Sequence, residues 1–251
     1  MNTNRQAATI MASPRKLAIA AGVCFLVSDF PAFVAVILYS PILNNVKYIA
    51  GSGPDTGVLL GAFFEMIVAF AIVGTAVTLF PIAKRQNEAV AMGYVGLRIL
   101  EAGIIAIGVV SLLTVVTLRQ QLAGAGGTDA ASLVALGKSL VAFHNWTFLI
   151  GPGFTSGANT VLIAYLLYRS HLVPRFIPML GLIGGSLVFA SATAVLFGLY
   201  PQYSAVPAVA ALPEFAWELS LAIWLIVKGF NSTVIASGSA KTETNKLVGA
   251  V

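Results

Sequence analysis

Residues 89–118 read AVAMGYVGLRILEAGIIAIGVVSLLTVVTL, and only Arg98 and Glu101 carry charge among them. A helix rises about 1.5 Å per residue, so this run exceeds the ~20 residues that cross about 30 Å of hydrocarbon. It reads as a membrane span long enough to tilt or protrude. An ionisable side chain in hydrocarbon costs roughly 2.5–3.5 kcal/mol on insertion scales. Arg98 and Glu101 stand three apart, hence on one helix face, and Tyr94 lies on that same face four before Arg98. Such a face belongs inside a bundle.

Five further apolar stretches lie around it: Leu17–Ser40, Val58–Phe80, Trp146–Tyr168, Phe176–Leu199 and Val209–Val227. The first follows Arg15 and Lys16 as a secretory signal would. It is too long for an ordinary signal core and contains Asp29, so it reads as an uncleaved first span. Composition agrees. The 251 residues are 58% hydrophobic and 9% charged, where soluble domains carry about 25% charged. The expected fold is an all-α, polytopic membrane protein with six transmembrane helices in one bundle. The expected organisation is an N-terminal segment 1–16, a transmembrane domain 17–230 and a flexible tail 231–251 rich in Ser, Thr and Lys.

Charge placement sets an expected orientation. With six spans both termini share one side, which holds ten Lys and Arg, against Lys47, Arg119 and Lys138 on the other. By the positive-inside rule both termini are cytoplasmic, in the inner membrane of a bacterium. The net charge of +5 so placed suits a bilayer surface and not nucleic acid. The links Ile82–Glu88 and Arg169–Arg175 are short. The outer links Pro41–Gly57 and Arg119–Asn145 are longer. The first contains the turn-rich stretch Gly51–Asp55. The second opens with Gly124-Ala125-Gly126-Gly127, after which Thr128-Asp129 can cap a short helix Ala131–Phe143 lying at the interface. No extramembrane part is long enough for a folded catalytic domain, so any function is built in the bundle or its outer loops.

The candidate site is the charged constellation Asp29, Glu65, Arg98, Glu101 and Glu218. By helical rise, Asp29, Glu101 and Glu218 lie near the midplane of spans one, three and six. Glu65, in the stripe Gly57, Gly61, Glu65, Ala69, lies nearer the outer face on a helix-packing side. Four acids face one guanidinium. Desolvation and like charge disfavour ionised carboxylates. Arg98 then holds one or two as carboxylates, and at least one other carries a proton near neutral pH unless a cation or water-filled cavity intervenes. Such a cluster can be an ion-pair network that fixes register, or a site for a proton, cation or polar solute.

Tyr94, His144, Asn159 and Glu214 are secondary polar candidates. His144, beside Trp146, reads as an interfacial anchor rather than a ligand. Gly151-Pro152-Gly153 interrupts span four, followed by a polar patch of Thr155, Ser156, Asn159 and Thr160. Broken helices line sites in transporters, although an ordinary proline kink is the plainer reading. Gly57/Gly61, Gly153/Gly157 and Gly181/Gly185 form small-residue pairs that let helices approach.

Catalytic and metal readings find little support. Cys24 is the only cysteine and reads as a small buried hydrophobe. Ser156 sits in Phe154-Thr155-Ser156-Gly157, which is not a nucleophile elbow. No HExxH, P-loop or metal-ligand spacing occurs, and no cofactor is indicated.

The stretch Gly93-Tyr94-Val95-Gly96-Leu97-Arg98-Ile99-Leu100-Glu101-Ala102 resembles the third-span motif of a bacterial membrane family catalogued as domain of unknown function 4386. Tyr165–Ser170 with Val173–Arg175, Gly181–Gly184, and Pro213–Glu218 with Trp224–Phe230 are also similar to it. The resemblance runs from about Pro14 to Phe230 and implies a multi-span integral membrane protein. The family brings no established activity, so no residue role carries over.

The leading expectation is a non-enzymatic protein whose buried cluster binds or passes a proton, cation or small polar solute. A structural or accessory subunit, in which the charges only fix packing, is the second. A membrane-embedded enzyme using the carboxylates as acid and base on a lipid is the third.

Overall fold

The computed structural model describes residues 13–45, 48–49, 53–122 and 128–235. The expectations for residues 1–12, Lys47, Gly51–Ser52, Gly124–Gly127 and the tail beyond 235 lie outside them. Among the described residues there are seven α-helices, one π-helical segment and no strands. In chain order these are α1 (Pro14–Asn44), α2 (Thr56–Ala83), α3 (Glu88–Leu122), α4 (Thr128–Phe148), the π segment (Leu149–Thr155), α5 (Ser156–Ser170), α6 (Phe176–Leu196) and α7 (Ala205–Val227). Six helical stretches are long and apolar enough to cross a membrane, with α4, the π segment and α5 counting as one.

Local chemistry explains the boundaries. Ser13 caps α1, accepting from the Lys16 amide, and Pro14 occupies the first turn, where its missing N–H is harmless. Asn87 Oδ1 accepts from the Val90 amide at the start of α3. α5 stops where His171 turns left-handed at φ 57°, and α7 is followed by Gly229 at φ 78°. Between α6 and α7 the chain turns at Gly198, φ 74°. Span five therefore ends at Leu196 instead of Leu199. The chain does not become irregular at Phe230. Residues 232–235 form a helical turn, and Val234 and Ile235 rest against the core.

The separate short helix expected at Ala131–Phe143 does not exist. Those residues belong to α4, which runs through the π segment into α5 without a break. Pro152 has no N–H to give, and the backbone answers by widening. The Ser156 amide reaches back to the Gly151 carbonyl, and the Thr155 hydroxyl donates to that same carbonyl at 2.6 Å. The element reaches 40 residues, about 60 Å at the helical rise. One end therefore stands outside any hydrocarbon layer.

The helices close into a ring. α1 packs on α2 and α7, α2 on α3, α3 on the fourth span, and the fourth span on α6, which returns to α7. The first and last helices are also joined at their ends. Arg15 donates to the Leu225, Ile226 and Val227 carbonyls at 3.1, 2.6 and 3.3 Å, satisfying groups that a helix C-terminus leaves open. The two described ends of the chain thus share one face. α5 and α6 cross at two small-residue positions. A Cβ on Gly157 would meet the Gly185 carbonyl at 2.8 Å, and one on Gly185 would meet the Gly157 carbonyl at 2.8 Å. α6 and α7 approach more closely still at Gly184, where a Cβ would lie 2.3 Å from the Glu214 amide nitrogen. Gly61 instead receives the ring of Tyr39.

On the opposite face Arg119, at the end of α3, is 6% exposed. It pairs with Asp55, donates to the Gly53 carbonyl at 2.9 Å and stacks 3.9 Å over the Tyr48 ring. The Tyr48 hydroxyl donates to Asp55 at 3.0 Å. Burial first, and then this hydrogen bond, push the Tyr48 phenol up to about 12. A folded value above the ordinary one means that this contribution is complete below about pH 10 and is lost as pH rises through about 12. Arg119→Ala is expected to lower stability by about 1–3 kcal/mol, read as a lower thermal midpoint, and to push the Tyr48 phenol up further, because the guanidinium is what holds that rise in check. A midpoint equal to that of wild type would mean the clamp contributes nothing.

Candidate functional site

The site is organised by one face of α3. Arg98 is 2% exposed, and each of its nitrogens has a partner. Nε donates to the Tyr94 hydroxyl at 3.3 Å, Nη1 to Glu101 at 3.3 Å and Nη2 to Glu218 on α7 at 3.0 Å. The Phe25 and Tyr94 rings each lie 5.6 Å from the guanidinium carbon. The Tyr94 hydroxyl donates in turn to the Thr75 hydroxyl of α2 at 3.0 Å. Glu101 also accepts from Asn159 Nδ2 at 2.8 Å, and that nitrogen is shared with the Thr155 carbonyl. Four helices are tied at this point, and the Arg98–Glu218 pairing spans 120 positions of sequence.

Glu214 stands one turn from Glu218 and faces another way. It accepts from the Ser156 and Thr160 hydroxyls at 3.1 and 2.8 Å. The polar patch after Pro152 thus divides its work. Asn159 serves Glu101, while Ser156 and Thr160 serve Glu214.

Asp29 lies within electrostatic reach of Glu218, Arg98 and Glu214, and Glu65 within reach of Tyr39. Neither acid is satisfied as Glu101 is. Asp29 Oδ2 and Glu65 Oε2 are buried and have no hydrogen-bond partner among the described residues. Asp29, Glu65, Arg98, Glu101 and Glu218 all line one cleft of about 240 Å³. Its remaining walls include Phe33, Phe148 and Pro152. A second cavity of about 220 Å³ lies across the π segment, between it and helices α6 and α7, and contains Glu214. Phe148 and Pro152 line both cavities, so the widened turn is the partition between them.

His144 departs from expectation. It is no interfacial anchor, being 3% exposed and packed edge-on against Tyr39 at 5.7 Å. Gly108 on α3 leaves it room. Trp146 nearby is 52% exposed and faces outwards instead. Its exposure follows from the helical phase of α4, which turns residues two apart to different sides.

Two features of the site carry little signal in the sequence. Phe25, Asp29 and Phe33 stand four apart on α1, a spacing that puts an acid between two aromatic rings on one face. Thr75 carried no such signal, because hydroxyls are common in apolar helices. Among the described residues no three His, Cys, Asp or Glu side chains come together to hold a metal ion. What the arrangement can offer is a set of carboxyl groups in excess over cation, two of them with unpartnered oxygens, beside aromatic walls.

A family model described as Domain of unknown function (DUF4386) matches residues 20–229. No curated protein and no solved structure matches the chain.

Proposed function

The chain belongs to the DUF4386 family, and on that premise we propose that this multi-pass helical bundle binds a small cationic or polar solute, or a proton, in its acidic cleft and passes it along the bundle. One observation carries the reading. Four carboxyl groups and one guanidinium line a single 240 Å³ cleft, and two of the carboxyls keep an oxygen without a partner. Pairing Arg98 needs only Glu101 and Glu218. Asp29 and Glu65 are surplus to that task, Asp29 lying against Glu218 and Glu65 against Tyr39, and acids inside a span face the bundle interior, pair with one another and mark ion or proton paths. The aromatic walls suit an organic cation, which ring faces attract. The cavity across the π segment gives a solute somewhere to go. We propose a bacterial inner-membrane location with both ends cytoplasmic, supported by the ten-to-three distribution of Lys and Arg.

A purely structural network is the second reading, favoured by the complete satisfaction of Arg98. Glu65→Gln separates the two because Glu65 makes no ion pair with Arg98. Purified protein is melted in detergent with a series from methylammonium to tetramethylammonium, and proton flux is followed in proteoliposomes with an internal pH dye. Stabilisation by one amine, or flux above that of empty vesicles, is expected in wild type. In Glu65→Gln the amine concentration for half-maximal stabilisation should rise at least about tenfold, the equivalent of about 1.4 kcal/mol, and the flux should fall. No stabilisation and no flux in a well-folded wild type would remove this reading and leave the structural one.

A further inference from the structure

The face that carries both described ends holds a different cavity, of about 430 Å³, between the α5–α6 link and the end of α7. Its lining includes His171, Arg175, Lys228 and Ser232, with Trp224 as a wall and no acidic residue. We propose that this cavity is a binding site for a phosphate group, supplied by the headgroup of an anionic lipid.

Four observations converge on it. His171 holds the left-handed conformation at φ 57°, a backbone state that side chains rarely adopt. From there its ring nitrogen lies 2.8 Å from Arg175 Nη2. Arg175 also stacks over the Tyr168 ring at 5.2 Å, so the guanidinium is held from two sides and still exposed at the rim. α6 begins at Phe176 with no side-chain cap on its first turn, and its amide end adds positive potential next to Arg175. The end of α7 would oppose an anion through its carbonyls. Arg15 covers those carbonyls and lies against Gly229, itself part of the lining. The local field is therefore positive from each charged side chain that borders the cavity.

Position selects the source of the phosphate. The cavity opens at the ends of α6 and α7, where lipid headgroups meet a spanning helix. Trp224 lines the cavity, and its indole Nε1 is buried with no hydrogen-bond partner among the described residues. Basic pockets between helix ends are the usual seats of anionic headgroups.

The test uses the full chain in a neutral detergent. Thermal unfolding is measured with phosphatidylglycerol, phosphatidylcholine or inorganic phosphate added. The variants are Arg175→Gln/Lys228→Gln, the single Lys228→Gln, and Lys16→Gln/Lys84→Gln, which removes two charges outside the cavity lining. The expected result is a rise in midpoint with phosphatidylglycerol and not with phosphatidylcholine. The rise should persist in Lys16→Gln/Lys84→Gln and vanish in Arg175→Gln/Lys228→Gln. If that double variant fails to fold, Lys228→Gln alone decides, because its side chain is exposed. It should raise the half-maximal concentration about tenfold, as for loss of one charge-assisted hydrogen bond. The same rise with inorganic phosphate alone would keep the phosphate site and overturn its lipid source. No rise with either anion, or equal loss in both double variants, would overturn the site itself.

Discussion

Arg98→Leu is expected to destabilise the bundle by about 3–5 kcal/mol, the range found when one partner of a buried ion pair is removed. The leucine fits an apolar helix, so lost packing is the smaller part. The larger part is that Glu101 and Glu218 lose the donors at 3.3 and 3.0 Å that now hold them, and their charge remains in the centre of the ring. The double variant Arg98→Leu/Glu218→Gln should recover a portion of the loss, because one stranded carboxylate becomes a neutral amide. Glu218→Gln alone should fall between. Denaturant or thermal unfolding in detergent gives the cycle directly. If the double variant is less stable than Arg98→Leu by the full effect of Glu218→Gln, the two residues are not coupled and the network is not what joins α3 to α7. If none of the variants loses stability, water already reaches these charges.

The second large effect concerns a residue with no side chain. Gly184→Leu is expected to abolish the folded bundle, and Gly184→Ala to cost about 1–3 kcal/mol, the usual range for overpacking. The obstruction is backbone: a Cβ at Gly184 would fall 2.3 Å from the Glu214 nitrogen and 2.6 Å from its Cα. A flexible side chain could swing away, whereas a helix axis has to move. Moving α7 outwards also withdraws Glu214 from the hydroxyls of Ser156 and Thr160, so the effect spreads to a third helix. Gly96→Ala provides the control. Nothing lies within 4 Å of a Cβ there, and the alanine should be neutral or stabilising by up to about 1 kcal/mol through helix propensity. Equal effects at the two positions would show that propensity, not close approach, governs both.

The reasons some features were legible and others were not are physical. Six spans follow from hydrocarbon thickness, which imposes a length on each apolar run whatever its partners are. Depth in a bilayer is a shared coordinate, and it made Glu218 a candidate neighbour of Arg98 without choosing it over Asp29. Two charges at the same depth, both excluded from lipid, have few places to be except together. That coordinate fails outside the membrane. Arg119 sits in an outer link by sequence, yet it is buried against Asp55 and Tyr48, and nothing in its own neighbourhood announces a partner 64 positions away. The burial of His144 is hidden for a related reason. A depth near the edge does not say which way the helix turns its face, and here it turns inwards to Tyr39. The continuity of α4, the π segment and α5 was hidden by Gly151-Pro152-Gly153. Those residues break a helix in water, but in a span the backbone has no water to bond and stays helical by a wider turn. At Gly184 the motif spacing pointed instead to Gly181 and Gly185, because pair patterns describe one helix and the approach is set by two.

The contact between Arg15 and the end of α7 has a consequence for how the protein is made. The residues it joins are 210 positions apart, so the ring cannot close until its last member has been synthesised. Until then Asp29 on α1 has no Glu218 beside it, and Arg98 on α3 lacks the carboxylate that α7 brings. Chains that stop after α6 therefore lack both the Arg15 contact and the Glu218 partner of Arg98. The final helix acts as the keystone of an arch whose other stones are already standing.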